Sequence, residues 1–163
     1  MSWRSLAGLI RRTGTVAEPA PPLPEAEPAG AAGVLGGSLQ IRHVDAGSCN
    51  GCEIELGAAF GPVYDAERYG ARLVASPRHA DAVLVTGAVT RNMAEPLRLT
   101  VRATPEPRLV IAMGDCARGC GPFRDGYGVV GGADDVVPVD AEIPGCPPEP
   151  AAVVEALRRV TGR

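Results

Sequence analysis

The chain has 163 residues, 45% of them hydrophobic but only 4% aromatic, and a formal charge of −3. That suits one compact domain with an aliphatic core plus a tail, and it leaves no basic stripe of the kind that binds nucleic acid. All 16 basic residues are arginine, which removes a Walker-type phosphate lysine and a Schiff-base lysine, and no apolar run is long enough to span a bilayer.

Trp3, Leu6, Leu9 and Ile10 fall on one face when residues 1–16 are placed on a helix, with Arg4, Arg11 and Arg12 elsewhere. This reads as a short amphipathic hook for a partner or membrane surface, with a frayed terminus as the alternative. Its apolar stretch is too short for a secretory core, and a Pro/Ala/Glu tract, not a hydrophobic segment, follows Arg11-Arg12, so the chain is expected in the cytoplasm. Residues 17–38 lack apolar periodicity and read as a Pro/Ala/Gly linker, leaving 39–163 as the folded domain. From there, short apolar runs alternate with helical stretches, the pattern of βαβ units on a parallel sheet. Strands are expected at Leu39–Val44, Ala71–Ala75, Ala82–Thr86, Arg108–Met113 and Val136–Val139. Helices are expected at Cys52–Ala59, near Asp65–Tyr69, at Met93–Ala103 and at Glu149–Val160.

Four of the five cysteines follow expected strands. Cys49 and Cys52 lie in a Gly-rich turn after the first strand, Cys116 follows the fourth, and Cys146 sits in Pro144-Gly145-Cys146-Pro147-Pro148 after the fifth. Loops leaving the carboxyl ends of parallel strands share one sheet edge, so the topology brings these thiols together. One close pair plus two singletons, with Pro after the last, favours an iron–sulfur cluster, read as 4Fe-4S; structural zinc and unligated buried thiols are the alternatives. Cys120 is read as a spare thiol. Gly47, Gly51, Gly114, Gly119, Gly121 and Gly145 would let backbone approach such a group closely. A dinucleotide site is not expected, because Gly114–Gly121 lacks the required glycine order, and cysteines stand where a flavin phosphate would need Ser/Thr-rich turns.

The segments DAGSCNGCEIEL, YDAERYG, ASPRHADAVLVTGAVTRNM, PEPRLVIAMGDCA and VPVDAEIPGCPPEP together resemble the B subunit (20 kDa, PSST-like) of respiratory complex I and the related small subunit of membrane-bound group 4 NiFe hydrogenases and formate hydrogenlyase. The resemblance covers about residues 40–160. It implies a flavodoxin-like three-layer α/β domain with a mostly parallel sheet, and one 4Fe-4S cluster on Cys49, Cys52, Cys116 and Cys146. It further implies electron transfer without independent catalysis, as a subunit of an oxidoreductase complex peripheral to the inner face of the cell membrane. The implied partners are a large subunit with a NiFe centre or quinone site, a ferredoxin-like subunit and membrane subunits. The two residues between Cys49 and Cys52 resemble the hydrogenase branch; complex I B subunits have adjacent cysteines there. The rival class is a binding module with only a structural metal.

Helical spacing places Glu55 on the face of Cys52, turned toward the cluster and able to couple protonation to reduction, with a helix-surface salt bridge as the alternative, whereas Glu53 is expected to point away. Arg78, His79 and Arg91 are expected in loops near the cluster edge, facing a large subunit or quinone, or simply solvent. His43, inside a strand, reads as a satisfied structural histidine.

Overall fold

The computed structural model describes residues 36–162 together with Gly8 and Arg11. Apart from those two residues, the expected hook and the linker up to residue 35 lie outside the described residues. The main sheet is built from β1 (Leu39–Asp45), β2 (Ala71–Leu73), β3 (Ala82–Thr86), β5 (Leu109–Met113) and β7 (Ala141–Ile143). They lie in the order β2-β1-β3-β5-β7, every neighbour pair parallel. Counting only the strands of this sheet, the order is 2-1-3-4-5, the flavodoxin-like doubly wound arrangement. A two-stranded antiparallel ribbon of β4 (Val89–Thr90) and β6 (Val129–Gly131) stands beside it.

Strand residues alternate between two apolar layers. On one face Leu39, Ile41, Leu84, Ile111, Met113 and Ile143 pack against Leu56 of α1 (Gly51–Ala59) and against Val153 and Leu157 of α4 (Pro150–Thr161). On the other, Val83, Val85, Val110 and Ala112 pack against Leu97 and Val101 of α2 (Arg91–Ala103) and Ala117 of α3 (Asp115–Gly119). Central strand β3 is buried at all five positions, which is why it reads as a continuous apolar run. Each fully buried Leu, Ile or Val contributes about 1.5–3 kcal/mol relative to exposure, so the two layers hold the sheet edge rigidly. In α2 the buried residues Ala94, Leu97 and Val101 recur at helical spacing, and α4 begins at Pro150 and ends at Gly162, whose left-handed backbone lets its N–H bond the Arg158 carbonyl.

The last strand lies at Ala141–Ile143, not at the expected Val136–Val139. Pro138 cannot donate to a ladder, and the amides of Val136 and Val137 both turn back to the Ala133 carbonyl. These valines still serve the core: Val137 is buried, with Val136 and Val139 packed beside it. Asp140 then joins the sheet through its side chain, its Oδ2 accepting from the Val110 N–H at 2.7 Å. The short α3 and the β4–β6 ribbon add to the expected elements, since neither is long enough to show a period in sequence. Among the described residues no helix is long and apolar enough to cross a membrane.

Candidate metal centre

Every parallel strand ends on the same edge, and the cysteines gather there. The register pairs Asp45 with Thr86 and Thr86 with Met113, so the turn after β1 and the loop after β5 start side by side. The turn folds tightly because the Asp45 carboxylate accepts the N–H groups of Gly47 (2.9 Å) and Ser48 (2.8 Å). Asn50, in the left-handed region, then opens α1. Gly87, also at positive φ, lies so close that a Cβ there would sit 2.3 Å from the Ser48 nitrogen, and only glycine permits that approach. On the other side, the Gly114 N–H bonds the Ile143 carbonyl and the Asp115 N–H bonds the Gly145 carbonyl, both at 2.8 Å. The Asp115 carboxylate accepts in return from the Gly145 N–H at 3.0 Å. This reciprocal pair sews the Cys116 loop to the Cys146 loop, a role the sequence does not signal.

Cys49, Cys52, Cys116 and Cys146, with Ser48, Gly51, Gly87, Asp115, Gly145 and Pro147, line one small cavity. Cys52 is buried, Cys116 half-buried, and Cys49 and Cys146 are exposed at the mouth. The thiols of Cys116 and Cys146 are in hydrogen-bond contact. Burial, the Glu53 carboxylate and the neighbouring thiols push Cys52 up to about 11, and burial followed by Cys146 and Cys49 raises Cys116. Both are therefore neutral thiols in the metal-free chain at pH 7, and metal binding has to displace their protons. Among the described residues no three or more His, Cys, Asp or Glu side chains converge so as to hold a metal ion; the four thiols ring a cavity.

The residues around this cavity fit an iron–sulfur group. A Cβ on Gly114 would stand 2.6 Å from the Cys52 sulfur, and one on Gly121 would stand 3.2 Å from that of Cys116. Side chains are thus excluded where sulfur chemistry needs room. Cys120 does not line the cavity. It is the buried residue that caps the carboxyl end of α3, where burial and Asp135 raise its pKa.

Glu53 is placed differently from expectation. The Glu53 carboxylate, not turned away into solvent, accepts from the hydroxyls of Ser48 (2.5 Å) and Thr86 and lies 3.6 Å from His43 Nε2. The first turn of α1 rests on the ends of β1 and β3, so the sheet covers a flank that a bare helical wheel leaves in water. Glu55 is partly exposed and makes no hydrogen bond or ion pair among the described residues. His43 bonds Thr86 Oγ1 at 2.9 Å, and burial lowers its pKa despite the nearby Glu53. Arg78 and His79 lie in the turn Pro77–His79, just before β3 begins, and so at the sheet edge opposite the cysteines. Their expected proximity is corrected: β2 stops at Leu73, level with the start of β3 at Ala82 since both pair with Ile41, and the connection holds only the single 3-10 turn Pro77–His79 at that amino end. Arg91 does sit at the cysteine edge, its N–H bonding the Gly128 carbonyl at 2.9 Å.

The fold and site together define a doubly wound α/β domain that gathers four cysteines on its carboxyl edge. Residues 49–160 match the family described as NADH ubiquinone oxidoreductase, 20 Kd subunit, and the chain belongs to that family. It is 49% identical over 125 residues to formate hydrogenlyase subunit 7 of Escherichia coli (strain K12), covering 77% of this chain and 49% of that protein. It is 50% identical over 107 residues to the NADH-quinone oxidoreductase B subunit of Clostridium beijerinckii, covering 65% of this chain and 63% of that one. The chain thus spans about half the length of the formate hydrogenlyase subunit. Among solved structures, a chain of the membrane-bound sulfane sulfur reductase, an archaeal respiratory membrane complex, superposes with a TM-score of 0.69 at 32% identity over 80% of this chain and 72% of that one.

Proposed function

We propose that the chain is an electron-transfer subunit of a membrane-associated hydrogenase-like or complex I-like oxidoreductase, with one 4Fe-4S cluster held by Cys49, Cys52, Cys116 and Cys146. The observation that carries this reading is the ring of four thiols around a glycine-walled cavity at one sheet edge. A single zinc ion needs four donors about 2.3 Å away, meeting on a point, whereas a ring around a cavity suits a polynuclear group. When bound, such a cluster takes up and releases one electron at a time.

The chain's own residues set the conditions for that exchange. Cys52 anchors the group against the core, and the open side at Cys49 and Cys146 faces outward, which is where a large subunit carrying the NiFe centre or quinone site would meet it. The amino end of α1 directs its positive dipole end at the thiolate cage and favours its negative charge. In this reading the bond chemistry belongs to the partner's large-subunit site, and the chain passes electrons. Attachment to the inner face of the membrane would come through partner subunits.

Electron paramagnetic resonance of the anaerobically purified complex tests the redox role. A signal from this chain that appears on reduction and vanishes on reoxidation is expected. A bound metal whose spectrum ignores the applied potential would contradict the reading and support a structural metal in a binding module.

A further inference from the structure

We propose that Glu53 is the positioning residue of the Cys49–Cys52 turn; this rests on reading those cysteines as cluster ligands. Both of its carboxylate oxygens are engaged, Oε2 by the Ser48 hydroxyl at 2.5 Å and Oε1 by the Thr86 hydroxyl. Ser48 Oγ in turn accepts the Asn50 N–H at 3.0 Å. Because Thr86 donates its only hydroxyl proton to Glu53, His43 Nε2, 2.9 Å away, must be the donor to Thr86 Oγ1. Two runs of hydrogen bonds therefore converge on the Glu53 carboxylate, one from the turn through Ser48 and one from β1 through Thr86 of β3.

The run through Ser48 brackets Cys49. Ser48 precedes it, Asn50 follows it, and both are tied to a carboxylate one residue after Cys52. Fixing these bonds fixes where the two sulfurs stand relative to the end of β3, against which the other two thiols are set. The Glu53 and His43 side chains are only 18% and 25% exposed, so water replaces a lost partner poorly. Groups that orient metal ligands commonly change metal retention 10–100-fold when removed, on the order of what is expected here.

The test uses the full chain loaded anaerobically with ferrous iron and sulfide, then challenged with an iron chelator. Glu53→Ala is expected to release iron about tenfold faster than the unmodified chain and to change the shape of the reduced resonance signal, which a general loss of stability would not do. Ser48→Ala should show a smaller effect of the same kind, and little further effect when added to Glu53→Ala, because the groups act as one unit. Release at the unmodified rate with an unchanged signal in Glu53→Ala would overturn the proposal, as would additive effects in the double variant. If Glu53→Ala does not fold, Ser48→Ala decides alone, since it removes one hydroxyl from a half-exposed turn; an unchanged rate there overturns it. Failure of the unmodified chain to take up iron would instead contradict the cluster reading.

Discussion

Cys116→Ala is expected to abolish cluster retention, while Cys120→Ala keeps it. Both cysteines sit near α3, four residues apart, and sequence spacing alone separates them weakly. The structure separates them by direction. Cys116 lines the cavity with Cys49, Cys52 and Cys146 and is in contact with Cys146, whereas Cys120 caps the carboxyl end of α3, 4% exposed, with Asp135, Asp134 and Arg124 as its charged surroundings. Loss of one of four thiolates leaves an iron without its protein ligand, and the cluster should be lost on purification. Loss of the Cys120 thiol removes a small buried group, costing on the order of 1 kcal/mol. Iron analysis of the two purified variants checks this; iron kept by the Cys116 variant and lost by the Cys120 variant would reverse the assignment.

Gly114→Ala should damage both the fold and the site, and Gly119→Ala neither. Gly114 has φ 87 and ψ 156, a region reserved almost entirely for glycine, where another residue costs about 1–3 kcal/mol. Its added methyl would also stand 2.6 Å from the buried Cys52 sulfur, which could yield only by leaving the cavity. A melting temperature lower by about 4–8 °C is expected for a loss near 2 kcal/mol, together with a cluster yield far below that of the unmodified chain. Gly119 is the last residue of α3, and a methyl there meets nothing nearer than the Arg124 guanidinium at 3.7 Å; alanine should be close to neutral there. Thermal melts and iron content of the two variants read the difference. Equal behaviour would mean that the bare backbone at Gly114 does not set the place of the Cys52 sulfur.

The convergence of the cysteines is legible in the sequence because it depends on topology, and topology depends on long apolar runs. Residues 82–86 and 109–113 have the unbroken apolar character of central strands, and parallel strands put their following loops on one edge. The last strand falls elsewhere than expected because Val136, Val137 and Val139 look like strand residues while Ala141–Ile143 is too short to carry a pattern; Pro138, visible in the sequence, is the signal against the longer reading. Arg78 and His79 lie at the opposite edge because the short strand β2 stops at Leu73, level with the start of β3, and the connection holds only one 3-10 turn. Glu53 escapes sequence reasoning because a helical wheel knows the helix alone. Its partners Thr86 and His43 come from strands 33 and 10 residues away in sequence, and no local period reveals such an acceptor. Asp115 likewise acts through the Gly145 backbone, a contact only the folded loops create.

The central claim is that Cys49, Cys52, Cys116 and Cys146 hold an iron–sulfur cluster. Quantifying iron, acid-labile sulfide and zinc in the anaerobically purified chain tests it most directly. About four iron and about four sulfide per chain are predicted; about one zinc per chain, with neither iron nor sulfide, would contradict it.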